Sequence, residues 1–143
     1  MMDAEQVLRA NGWFPGRRVD ASAGERALVA AGYSTWPELT ALLLEFSGIS
    51  IPFKRHGRND TVWFDAERAV SWADPASVHE YETRVGTQLA PIGYAYHDHM
   101  LLMAAEDGRV VGAYDDYVAE VGASPIEAVV RVMSQDLQPI GDT

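Results

Sequence analysis

His97, Asp98 and His99 stand in a row between two apolar runs, the densest set of metal-type donors in the chain. Imidazole nitrogens and carboxylate oxygens are ligands that divalent ions take, and an ion held this way turns bound water into a nucleophile near neutral pH. A catalytic zinc site needs a third strong ligand and a base. Asp116 is the residue that a folded-back strand would bring near His99. One reading of the triplet is therefore a small metal-dependent hydrolase using His97, His99 and Asp116. No HExxH stretch exists to strengthen it. A water-facing turn built of polar residues explains the triplet more simply.

A second constellation lies close by. Asp98, Asp115, Asp116 and Glu120 form a candidate acidic patch at one end of a sheet, with Tyr96 and Tyr117 as aromatic neighbours. Paired carboxylates perform acid–base work in glycoside hydrolysis, but a solvated strand end or a protein-binding face uses the same residues. Other chemistry is absent from the sequence. There is no cysteine for a thiol nucleophile or a thiolate zinc site, no GxSxG elbow, no GxGxxG and no Walker A pattern. We therefore expect no cofactor and no catalytic residue. Two basic clusters, Arg17-Arg18 and Lys54-Arg55-His56 with Arg58, stand against a net charge of −10. Phosphate binding needs a basic surface, so nucleic acid is not expected as a ligand, whereas a basic protein partner is compatible.

The element that must position these groups is Pro91–Asp116, read as a three-stranded antiparallel meander over Ile92–Tyr96, Met100–Glu106 and Arg109–Asp115. Asp107-Gly108 between apolar runs predicts a two-residue type I′ turn. That turn would set Glu106 opposite Arg109, Ala104 opposite Val111 and Leu102 opposite Ala113. Both faces of the meander are apolar, as in the middle of a sheet covered on both sides.

The flanking stretches read as helices with strong terminal signals. Ala4–Asn11 is amphipathic and is followed by Gly12. Ser22 with Glu25 is a capping box for Ala23–Ala31, and Thr35, Pro37 and Glu38 open a third helix with a Trp36-Leu39-Leu42-Leu43-Phe46 stripe. Asp65 caps a short helix over Ala66–Ser71, Asp74-Pro75 opens another to about Val85, and Ser124-Pro125-Ile126-Glu127 opens the last, to about Leu137. Ile49–Phe53 and Thr61–Phe64 form a hairpin around a polar Lys54–Asp60 loop, with Pro52 marking an edge strand. Of four tryptophans, Trp36 reads as core, while Trp13 and Trp72 read as half-exposed. The whole is one α+β domain over residues 1–143, with about five mainly antiparallel strands and flanking helices. The longest apolar run, Met100–Ala105, is far too short for a membrane span, and the polar N-terminus has no apolar h-region. A soluble cytoplasmic protein is expected, with its oligomeric state open.

Several of these residues, taken in order, resemble a known family. Gly12-Trp13 with Pro15-Gly16-Arg17, Glu45-Phe46-Ser47-Gly48, Phe64-Asp65 with Ala69, Leu89-Ala90-Pro91-Ile92-Gly93, Asp107-Gly108-Arg109-Val110, and Gly122 with Glu127-Ala128 resemble the third immunity-protein family of the SUKH superfamily. Ser47-Gly48 replaces a paired glycine and Asp65-Ala66 an Asp-Pro, departures that touch turn geometry only. The resemblance implies an α+β fold and a non-catalytic cytoplasmic protein that binds and neutralises a cognate bacterial toxin, frequently a nuclease or nucleic-acid deaminase. It carries no motif of site residues. A general protein-interaction module of the same fold, regulating a host protein, is the other binding reading.

Overall fold

In a computed structural model, residues 3–141 are described, so the first two residues of the N-terminal stretch lie outside them. Seven strands form one sheet in sequential order, each antiparallel to the next. They are β1 Ser50–Arg55, β2 Arg58–Phe64, β3 Leu89–Ala95, β4 Met100–Ala105, β5 Val110–Tyr114, β6 Tyr117–Gly122 and β7 Gln138–Pro139. Among the described residues six helices accompany it: α1 Ala4–Ala10, α2 Ser22–Ala30, α3 Pro37–Phe46, α4 Ala66–Trp72, α5 Pro75–Val85 and α6 Pro125–Ser134. The α+β class and single sheet are as expected, with two strands more than the five read from the sequence.

Helix starts follow their caps closely. Asp3, Asp65, Asp74 and Ser124 each accept a hydrogen bond from a backbone N–H of the first turn. Two expected caps differ. Ser22 is the first residue of α2 and is itself held by Asp20, whose carboxylate accepts from both the Ser22 N–H and its hydroxyl. At α3, Trp36 rather than Thr35 is the cap residue, without a side-chain bond. β3 and β4 are buried along their entire lengths, as a strand covered on both faces must be. On one face α1, α3 and α6 pack through Leu8, Leu39, Leu43, Phe46, Val129 and Val132; on the other α4 and α5 pack through Ala69, Val78 and Tyr81.

The register of the central hairpin differs from expectation by one residue. Leu102 pairs with Gly112 and Ala104 with Val110, not with Ala113 and Val111. The Gly108 N–H donates to the Ala105 carbonyl, the Ala105 N–H to the Arg109 carbonyl, and Gly108 alone has a positive φ, +100°. This is a three-residue loop, a turn followed by a left-handed glycine, rather than a type I′ pair. One residue of slip exchanges the faces of a strand. Val110 thereby joins Leu102 and Ala104 on the face covered by α1, α3 and α6, and Val111 and Ala113 join Leu101 and Met103 on the face covered by α4 and α5. The two-residue turn with both centres left-handed sits elsewhere. His56 (φ 54°) and Gly57 (φ 76°) join β1 to β2, so most of the expected Lys54–Asp60 loop is strand.

The residues that carried the family resemblance form a structural lock. The Trp13 indole N–H donates to Glu45 Oε2 at 2.8 Å, and its ring stacks on Phe46. The Arg17 guanidinium donates to the carbonyls of Glu45 and Ser47, at 2.6 and 2.8 Å, satisfying the end of α3. Trp13 is therefore 3% exposed, not half-exposed. Gly93 has a steric reason: a Cβ there would lie 1.9 Å from the Trp63 carbonyl oxygen on β2.

Candidate functional site

Strand directions bring three turns to one end of the sheet: His56-Gly57, Tyr96–His99 and Asp115-Asp116. The middle turn is conformationally unusual. Tyr96, His97 and Asp98 have φ of 57°, 57° and 60°, three consecutive non-glycine residues in the left-handed region. Each such residue costs roughly 1–2 kcal/mol, so the surroundings must hold the turn in place.

Asp60 is the principal brace. Its side chain is fully buried and accepts from the His97 N–H at 2.8 Å, the Thr61 N–H at 2.7 Å and Arg55 Nε at 2.8 Å. Burial is the largest single influence on this carboxyl and pushes its pKa up. The two backbone donors, the guanidinium and the His97 ring outweigh it together, and the net shift is downward. In the sequence Asp60 ends the polar Lys54–Asp60 stretch expected as a loop. Its only signal was a lone acid among basic residues, with no hint of a partner 37 residues away.

Of the six expected binding residues, the structure gathers some and separates others. Tyr96 is a correction. It is 7% exposed, its hydroxyl donates to the Val132 carbonyl of α6, and burial raises its pKa to about 12. It belongs to the core because the left-handed turn folds its ring inward, against Phe53 and under Arg55. Asp98 lies in the middle turn and accepts from the Trp63 indole N–H at 2.6 Å, with Arg68 at 3.8 Å. Asp115 and Asp116 occupy the β5–β6 turn. Their backbone carbonyls are held from α5, by the Tyr81 hydroxyl and the Arg84 guanidinium, and both side chains are exposed. Among the described residues neither carboxylate has a hydrogen-bond or ion-pair partner. Tyr117 stacks on Tyr114 at a centroid distance of 5.0 Å, and His99 packs on Tyr114 at 4.6 Å with its ring tilted by 41°. Glu120 is apart from this group, with Arg131 at 3.9 Å.

The histidine triplet does not converge. His97 Nε2 lies 3.8 Å from Asp60 Oδ2, while His99 is on Tyr114 rather than beside Asp116. Among the described residues no three His, Asp or Glu side chains are grouped to hold a metal ion.

An aromatic feature adjoins the acidic turn. Trp72, at the end of α4, is 50% exposed, and Trp63 and Tyr94 support it at centroid distances of 5.9 and 5.6 Å. The Arg68 guanidinium lies over both Trp63 and Trp72, at 4.1 and 4.7 Å. Trp72, Tyr94, Leu101, Ala113, Tyr114 and Asp115 line an open groove of about 280 Å³. Here rigid aromatic surface and unpaired carboxylates meet, the composition of a protein-binding patch rather than of a reaction centre.

The family model of the SUKH-3 immunity protein matches residues 2–135. The chain belongs to the SUKH-3 immunity protein family. No curated protein and no solved structure matches it. The SUKH-3 match spans all six helices and the first six strands, leaving outside it only the chain's first residue and the segment containing β7. Immunity is the functional class that this membership gives. No described helix is long and apolar enough to cross a membrane.

Proposed function

We propose that residues 1–143 act as one non-catalytic immunity unit that remains in the cytoplasm of the producing cell and neutralises a cognate toxin by binding it. The observation that carries the reading is the SUKH-3 match over nearly the whole chain. The end of the sheet bearing Asp98, Asp115, Asp116 and Tyr117 supplies the binding face in this reading. The exposed Asp115 and Asp116 carboxylates, without internal cations, support it.

The toxin class follows from charge. An inhibitor of net charge −10 is steered toward a basic surface, and an enzyme that handles nucleic acid carries such a surface at its active cleft. A nuclease or nucleic-acid deaminase fits that description. Occlusion needs no chemistry from the inhibitor, only shape and opposite charge.

Co-expression with the product of the adjacent reading frame, as the candidate toxin, tests the proposal. Expected are restored growth of cells expressing the toxin, co-purification of the two proteins, and association that slows as salt rises. Growth arrest despite abundant folded protein, with no co-purification, would remove the reading.

A further inference from the structure

We infer that the groove between Trp72, Tyr94 and Tyr114 seats one arginine side chain of the protein partner, with Asp115 as its counter-charge. The inference rests on the immunity reading and names the recognition chemistry at its surface.

Trp72 is the starting point. Trp13, Trp36 and Trp63 are 3, 9 and 4% exposed, whereas Trp72 is 50% exposed. It is nonetheless fixed: Trp63 meets it edge-on at 86°, Tyr94 packs at 5.6 Å and Arg68 covers it at 4.7 Å. A rigid exposed aromatic loses little side-chain freedom on binding, and tryptophan, tyrosine and arginine dominate interface hot spots. Leu101 and Ala113 of the central strands line the groove beside it with Tyr94 and Tyr114, and Asp74, Ser77 and His99 add polar groups to the lining.

The protein itself shows which cation this arrangement accepts. Arg68 lies across Trp63 and Trp72 with the Asp98 carboxylate 3.8 Å away, a guanidinium between aromatic rings and an acid. The groove sets the same kinds of residue side by side, rings beside an acid. The half-exposed Trp72 and the partly buried Tyr114 bring ring surface to it over the buried Tyr94, and Asp115 brings a carboxylate that has no internal partner among the described residues. The Asp115 carbonyl is bonded to the Tyr81 hydroxyl at 2.9 Å, which fixes where the acid stands. An arginine suits the place better than a lysine. Its planar, weakly hydrated head stacks on rings, whereas an ammonium would have to shed tightly held water to do so. The net charge of −10 favours the arrival of such a cation from any direction.

Indole N–H resonances of the full chain, titrated with N-acetyl-arginine amide and with the uncharged N-acetyl-citrulline amide, test the chemistry. Saturable movement of the Trp72 signal with the arginine probe is expected, with the other three indoles and the citrulline titration unaffected and the response weakened in D115N. No movement at Trp72, or equal movement with citrulline, overturns the inference. The second arm uses the toxin that the protein is found to neutralise. W72A and D115N should each weaken its binding roughly tenfold or more, as truncation of a hot spot does. If W72A does not fold, D115N, an exposed side chain with no internal partner, decides this arm. Wild-type affinity in the folded variants overturns the groove and leaves the immunity reading standing. Failure of the wild-type protein itself to bind or protect removes that reading instead, and the probe titration then judges the groove alone.

Discussion

The Trp13 lock and the Trp72 groove are built from the same kinds of residue with opposite accounts of their polar groups. In the lock, the indole N–H has Glu45, both terminal nitrogens of Arg17 have carbonyls, and the ring is buried on Phe46. At the groove, a tryptophan is left half-exposed on rigid support and two neighbouring aspartates have no internal cation. A group satisfied from within holds the fold together, whereas one held rigidly and left open is available to a partner. The family resemblance lies largely in the first kind of region. That is why it identifies an immunity protein without indicating what the protein binds.

Truncating the lock should have the largest effect. W13A removes a buried ring and leaves Glu45 without its donor, a loss of about 3–5 kcal/mol in urea-induced unfolding. Toxin affinity per folded molecule should be unchanged, since the lock and the turn end are separate. A mutant of normal stability, or one folded but unable to bind, would break the distinction between the two regions.

Asp60 comes next, because through it the scaffold reaches the turn end. D60A orphans the N–H groups of His97 and Thr61 and frees Arg55, a loss of about 2–3 kcal/mol. Its folded-state pKa is lowered, so its contribution is present above the unfolded value near 4 and is lost as pH falls below that through the folded value. Wild-type stability should therefore decline below about pH 4 more steeply than that of D60A. Parallel acid limbs in the two proteins would show that the brace is not ionised as the geometry requires.

The left-handed turn offers a change in the opposite direction. H97G relieves one of three strained residues while keeping the N–H that Asp60 accepts. Glycine also makes the unfolded chain freer, so the net gain should be about 0.5–1 kcal/mol. Destabilisation instead would mean that the His97 ring near Asp60 contributes more than its 3.8 Å separation suggests.

The two regions were not equally legible in the sequence. Helices could be read because caps and N1 prolines act within four residues, and Asp65, Asp74 and Ser124 behave accordingly. Turn type was harder. An Asp-Gly pair serves a two-residue turn and a three-residue loop equally well, and at Asp107-Gly108 the longer loop places Val110 rather than Val111 on the face covered by α1, α3 and α6. β1 and β2 hid their ends because the hairpin tip extends past the core, where no apolar alternation marks a strand. β6 follows an Asp-Asp turn with no glycine and carries Glu120 mid-strand, while β7 is two residues defined by pairing alone. At the site, Asp115 and Asp116 could be found as exposed acids beside tyrosines. Tyr96 could not be excluded, because its burial depends on a Val132 carbonyl 36 residues away. Trp72 could be seen as exposed but not as a groove wall, since Tyr94 and Tyr114 reach it only through strand pairing.

The smallest stability effect belongs to the acidic turn, and there it carries the most meaning. Asp115 and Asp116 bond to the fold only through backbone carbonyls, which accept from Tyr81 and Arg84, so D115K/D116K should leave the unfolding free energy within about 0.5 kcal/mol of wild type. Charge on an exposed rim acts on diffusional encounter. Association with the toxin should slow about tenfold at low ionic strength, and the gap should narrow toward 1 M salt as the Debye length shrinks to about 3 Å. Dissociation should change less than association if the two acids mainly steer, and more if Asp115 also pairs with an arginine in the groove. Stopped-flow binding across a salt series separates these cases. Unchanged association at every salt concentration would take the acidic turn out of the binding face.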